Sequence, residues 1–201
     1  MSDLFNPLAM PSLAHSIVTR MMEMDAVPLG DAPRFPGAGL YAIYYSGGFP
    51  TYALLADANR KSATRPIYVG KAVPSGGRKG LDVAPLSETH ALADRIRQHA
   101  ASVRSADNLD IGDFQTRWLI VEDVWIPLGE SALIRDHRPV WNAIVDGFGN
   151  HDPGSGRING LRSRWDTLHP GRPWASKFPA RGETPEEIQQ EIVEYLRSRM
   201  S

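Results

Sequence analysis

Apolar positions recur along the chain with two periods, and their order outlines the architecture. In "PSLAHSIVTRMMEMDAV" the residues Leu13, Ile17, Met21 and Met24 keep the spacing of one helical face, and Pro11 sits where a first helical turn tolerates it. "PLGDAPRFPGAG" breaks that pattern as a Pro/Gly connector. "GLYAIYY" and "PIYVG" are aromatic and β-branched runs next to glycine, the composition of strands. Between them "FPTYALLADANR" fits a short helix or a strand with a turn. The Gly/Pro-rich "KAVPSGGRKGLDVAPL" predicts a loop. After it Leu92, Ile96 and Val103 form a helical stripe with Ser87 as its N-cap. "QTRWLIVED" predicts a third strand, and "PLGESALIRDH" a helix stopped by Pro139. From about Asp146 the pattern is loop-like until the N-capped helix "TPEEIQQEIVEYLRSRM".

Strand, strand, helix, strand, helix, with a helix before and a loop-rich part after, is a small α+β layer. At 201 residues the chain suits one domain, or one domain with an appended segment. It has no cysteine, which excludes disulfides, thiolate catalysis and cysteine-based zinc sites. No apolar run approaches membrane-spanning length, and "MSDLFNPLAM" lacks the basic start and apolar run of a signal peptide, so a cytoplasmic protein with no membrane partner is expected. A net charge of −1 argues against coating nucleic acid by bulk electrostatics, and leaves room for a local basic cleft.

"RPIYVGKA" ends a strand in Gly-Lys, the outline of a phosphate loop. The glycine-rich run before Lys71 and the Ser/Thr after it are missing, as is any G-x-G-x-x-G between strand and helix, so no nucleotide cofactor is expected. A serine triad lacks its nucleophile elbow, and "GFGNHDPGSG" offers a single His-Asp pair where a His-metal nuclease needs partner histidines. The tyrosines say more. Period two puts Tyr41 with Ile43 and Tyr45 on one face, and Tyr68 opposite Ile67 and Val69. If the strands pair, Tyr41 and Tyr68 stand side by side, although strands also favour tyrosine for packing alone.

Arg95 and His99, four residues apart, share a helix face at the edge of the apolar stripe. Either a carboxylate meets them there or a phosphate lies over both. Glu130 shares a helical row with Leu133, Ile134 and His137, where a carboxylate needs a cation or metal unless the helix dipole alone favours it. Asn142, just beyond, also suits a plain turn. Between positions 157 and 181 Arg157, Arg162, Arg164, Arg172, Lys177 and Arg181 face one acid, Asp166, with Trp165, Trp174 and Phe178 interleaved. That mixture suits phosphate and base contacts, or a solvated loop over a small aromatic core.

Taken in order, "GLY" (39–41), "YVG" (68–70), Arg95 and His99 in "DRIRQH", Glu130 in "GESALI" and Asn142 in "WN" resemble the GIY-YIG nuclease family over roughly residues 38–145. The long gap between the first two motifs and the loop before the arginine helix resemble its type II restriction branch, the NgoMIII-like group with SacII-type specificity. The resemblance implies a core with a three-stranded antiparallel sheet at 38–145, with 73–87 as an inserted loop. Residues 1–37 then form an N-terminal helix and connector, and 146–201 an extension that contacts DNA. It implies that Tyr41, Tyr68, Lys71, Arg95, His99, Glu130 and Asn142 form the catalytic site. Glu130 would hold one Mg²⁺, which Mn²⁺ could replace, and Tyr41 would be the general base, helped by Lys71. Arg78, Lys79, Arg157, Arg162, Arg164, Arg172 and Lys177 would contact DNA. The implied enzyme is a homodimer, or a higher homo-oligomer, cutting double-stranded DNA at a short GC-rich palindrome. A repair or homing-type nuclease and a non-catalytic DNA-binding module on the same scaffold are the alternatives.

Overall fold

The computed structural model describes residues 6, 8–74, 88–152 and 160–200. Its elements in order are α1 (Met10–Glu23), β1 (Val27–Pro28), β2 (Gly39–Tyr45), α2 (Ala53–Asn59), β3 (Pro66–Ala72), α3 (Ala91–Ser105), β4 (Phe114–Ile120), α4 (Ile126–His137), α5 (Val140–Ala143), α6 (Arg164–Leu168) and α7 (Pro185–Met200). The strands form one antiparallel sheet in the order β1-β4-β2-β3. The sheet is therefore four-stranded, one strand more than expected. The addition is the two-residue β1 where the first helical stretch passes into the Pro/Gly connector, too short to carry an alternation.

β2 is central and buried at all seven positions, which is why "GLYAIYY" shows no polar alternation. Each of its faces starts a separate core. Tyr41, Ile43 and Tyr45 pack with Leu92, Ile96, Ala100 and Val103 of α3. On the other face Leu40, Ala42 and Tyr44 pack with Met21 of α1 and with Ile126 and Leu133 of α4. Gly39 enters the strand at φ +152°, where a Cβ would lie 2.1 Å from the Leu119 carbonyl oxygen, so the first residue of "GLY" admits no side chain.

The chain after residue 145 does not stand off from this body. Phe148, Trp165, Leu168, Ile188, Ile192 and Leu196 belong to the α3-side core. α7 opens with a reciprocal cap: Thr184 Oγ1 accepts from the Glu187 N–H, and Glu187 Oε2 from the Thr184 N–H. The ambiguous "FPTYALLADANR" resolves into a helical turn at 50–52 followed by α2. Asn59 then ties α2 to the sheet, donating to the carbonyls of Tyr45 and Arg65 and accepting from the N–H groups of Thr64 and Arg65. α4 ends as expected before Pro139, with Arg138 left-handed at φ +41°. α3 begins at Ala91 with His90 as its first cap residue. The expected Ser87 cap lies outside the described residues.

Candidate active site

β3 is an edge strand, so helices on opposite faces of the sheet can deliver side chains to one margin. Tyr41 pairs with Gly70 and Ile43 with Tyr68, and the ladder shifts between Ile43 and Tyr44. The two phenols thus stand diagonally on the α3 face, ring centroids 6.2 Å apart, as the strand pattern anticipates. Gly70 is small for a reason. A Cβ there would lie 2.3 Å from the Tyr41 hydroxyl oxygen, because the Tyr41 side chain crosses the neighbouring strand at that point.

α3 supplies Arg95 and His99 one turn apart. His99 is buried, and its Nε2 lies 2.6 Å from the Tyr41 hydroxyl. Its ring stacks on Phe148 at 4.4 Å. Burial first, then the charges of Arg95, His151 and Arg172, hold the imidazole well below its ordinary value. It is therefore neutral near pH 7, and Tyr41 donates while Nε2 accepts. Burial above all, with a smaller contribution from Tyr68, raises the Tyr41 phenol well above its ordinary value, and Arg95 opposes this. At rest the proton sits on Tyr41.

Arg95 reaches across to the loop after α5. It donates to the Gly149 carbonyl at 2.7 Å and to Gln98 Oε1 at 3.3 Å, and it meets the His151 ring. These partners are all neutral, since burial and then Arg95 itself lower the His151 value. Next to a solvent-facing loop, this guanidinium is placed to take an anion.

The acid of the site comes from the other face. Glu130 on α4 pairs through Oε2 with Lys71 Nζ at 2.7 Å, and both are partly exposed. The two faces meet at Tyr68. Burial raises its phenol most; Arg95 and the bond with Tyr41 lower it, and Glu130 raises it again. A carboxylate from one face and a guanidinium from the other thus act on a single hydroxyl. Asn142 on α5 works on the backbone: its amide donates to the Val69 carbonyl and accepts from the Val69 N–H, both at 2.8 Å. It replaces a neighbouring strand along the open edge of β3.

The expected DNA contacts divide. Arg78, Lys79 and Arg157 lie outside the described residues. Lys177 is exposed, and Arg162 is partly buried, near the Phe178 carbonyl. Arg164 pairs with Glu183 and Glu191 and donates to the Ile144 carbonyl. Arg172 is 4% exposed, bound through two nitrogens to Asp166, and spends its remaining N–H groups on the carbonyls of Gly147, Phe148 and Asn150. No donor is left for a phosphate. Of the interleaved aromatics, Trp165 is fully buried against Trp141, Phe148 and His169, while Trp174 and Phe178 are half-buried.

The loop from Gly147 to His151 was not among the expected site residues, yet it carries Phe148 against His99 and Gly149 against Arg95. Its only sequence signal is the run "GFGNH", which names no partner fifty residues away.

A family model described as the Eco29kI GIY-YIG domain matches residues 33–196. The chain belongs to this family. Eco29kI-type GIY-YIG domains are a restriction endonuclease family, so the chain is a restriction-type nuclease and DNA is its substrate class. No curated protein matches the chain. The match begins in the connector before β2 and ends in α7, so the GIY-YIG domain takes in the packed segment after residue 145 along with the motif strands.

Proposed function

We propose that the protein is a type II restriction endonuclease that hydrolyses double-stranded DNA at a short site, with Mg²⁺ held by Glu130 and seven residues in the catalytic site: Tyr41, Tyr68, Lys71, Arg95, His99, Glu130 and Asn142. The observation that carries this reading is the Tyr41 hydroxyl bonded to a neutral His99, with the Arg95 guanidinium and the carboxylate of Glu130 brought to the same strand edge.

The donor set fits the metal. Among the described residues no three His, Cys, Asp or Glu side chains cluster into a protein cage. A single, partly exposed carboxylate paired with Lys71 suits Mg²⁺, which keeps several waters and takes phosphate oxygens. When bound, the ion neutralises phosphate charge and acidifies water. The protein's own residues do the rest. Arg95 faces the charge that develops on phosphorus, a role whose loss lowers rates about 10²–10³-fold at comparable sites. As the water oxygen bonds to phosphorus, the water proton passes to the Tyr41 oxygen and the Tyr41 proton to His99 Nε2. The bond to the deoxyribose oxygen opposite breaks, and that oxygen takes a proton from solvent. Burial opposes both the phenolate and the imidazolium, so this transfer belongs to the transition state and not to the resting site. Lys71, paired with Glu130, steadies that carboxylate. Tyr68 orients the phosphate side, and Asn142 fixes β3 beneath them.

The finer reading is a homodimer on a GC-rich palindrome, since two-fold symmetry in the protein mirrors that of the site, with the SacII-type specificity of the NgoMIII-like group. Plasmid incubated with the protein and Mg²⁺ should give discrete fragments, whose mapped ends define the sequence. A smear, or intact plasmid across varied DNAs, contradicts the proposal. Glu130→Ala should end cutting and leave DNA binding; cutting that persists removes Glu130 from the metal role.

A further inference from the structure

Arg172, which the family resemblance implied as a DNA contact, forms a buried ion pair with Asp166, and its position suggests a different task. The guanidinium lies between two indoles, 4.4 Å from the Trp165 ring and 4.5 Å from the Trp174 ring. Asp166 takes its Nε at 2.6 Å and its NH2 at 2.7 Å, and is itself held by Ser163 Oγ at 2.6 Å. The remaining donors reach the carbonyls of Gly147 at 2.9 Å and of Phe148 and Asn150 at 3.3 Å. Three carbonyls in four residues thus converge on one cation. Arginine's planar fork can do this, and a lysine cannot.

The residues between those carbonyls touch the site. Phe148 stacks on His99 and lies edge-on to Tyr68 with centroids 5.0 Å apart. The Gly149 carbonyl accepts from Arg95, and a Cβ on Gly149 would lie 2.9 Å from the Tyr68 hydroxyl. We propose that Arg172, anchored by Asp166, is a positioning residue of the nuclease: it fixes the 147–150 loop, and through it the Arg95 guanidinium and the His99 ring. The proposal rests on the catalytic reading of Arg95 and His99. The Arg172 charge also acts directly on the His99 imidazole, alongside burial, Arg95 and His151.

The test separates positioning from DNA contact and from mere folding. Because Arg172→Ala alone strands a buried carboxylate, the informative variant is the paired replacement Arg172→Met with Asp166→Leu, which fills the volume without charge. Arg172→Lys keeps the charge and loses the fork. For each, duplex affinity is measured over a range of salt without Mg²⁺, and the single-turnover cleavage rate with it. His99 is titrated by NMR. Both variants should bind DNA within about twofold of the parent with an unchanged salt slope, and cut about 100-fold more slowly, as misplaced catalytic groups do. In the paired variant His99 should titrate closer to the ordinary value of about 6.5. A salt slope reduced by about one makes Arg172 a phosphate contact and overturns the proposal. So does a folded paired variant that cuts at the parental rate with an unmoved His99. If the parent protein itself does not cut, the nuclease reading fails, and the His99 titration still decides whether Arg172 fixes the loop.

Discussion

Gly70 shows how closely the site is built around single atoms. Its missing Cβ makes room for the Tyr41 hydroxyl and Cζ, which would otherwise lie 2.3 and 2.5 Å away. The obstruction is an aromatic ring, itself bonded to His99, so it cannot swing clear without breaking that bond. Gly70→Ala should therefore leave DNA binding within a few-fold and lower the single-turnover rate about 100-fold, the effect of a reacting group displaced by about an ångström. A rate within threefold of the parent would show that Tyr41 can move without consequence. Residues of this kind were readable early. Period two, given that the strands pair, put Tyr41 and Tyr68 on one face, and period 3.6 put Arg95 with His99. What periodicity could not give was the partners. That His99 meets Tyr41, 58 residues earlier, and that Arg95 meets the Gly149 carbonyl, depend on how elements pack.

The elements explain why a site forms at an edge strand without leaving the edge open. Asn142 satisfies both backbone groups of Val69, between Tyr68 and Lys71, so a side chain does the work of a strand. Asn142→Ala should cost about 1–3 kcal/mol for the two lost bonds, a fall of roughly 2–12 °C in Tm for a chain of this size, with a weaker cleavage rate in proportion. If Tm is unchanged while cleavage disappears, Asn142 acts on substrate and not on β3. Long periodic elements such as β2, α3 and α4 were legible because they bury continuous stripes. Short ones were not. β1 has two residues, α5 four and α6 five, less than any period needs to declare itself. The basic stretch shows a similar limit. Its window held one acid, but Arg164 and Arg181 are neutralised by Asp146, Glu183 and Glu191 just outside it. Only the fold shows that pairing.

At the scale of the whole molecule, the layers are joined by buried neutral histidines, and this makes the fold sensitive to acid. His169, at the end of α6, accepts the Tyr52 O–H at Nε2, 2.8 Å away, and its Nδ1 donates to Asn108 Oδ1 at 2.9 Å. Trp141 Nε1 in turn donates to the Tyr52 oxygen. One imidazole so ties the turn before α2, the segment between α3 and β4, and α5 into a single chain of donors and acceptors. Every place in that chain is taken, and a proton on Nε2 would set donor against donor. Burial alone lowers the His169 value to about 3, and His99 is depressed in the same direction. The unfolded chain, with histidines near 6.5, binds more protons than the native state at any pH between the two values. Stability is then fully present above about pH 6.5 and falls as the pH drops toward 3, by up to about 1.4 kcal/mol per pH unit for each such histidine. Thermal melts between pH 7.5 and 4 should show Tm falling steadily below about 6.5, well above the range where carboxylates titrate. His169→Asn should be less stable at pH 7.5 but fall less steeply, because one of the titrating groups is gone. A Tm that holds constant from pH 6.5 to 4.5, or equal slopes in the two proteins, would mean that His169 is already protonated in the native fold.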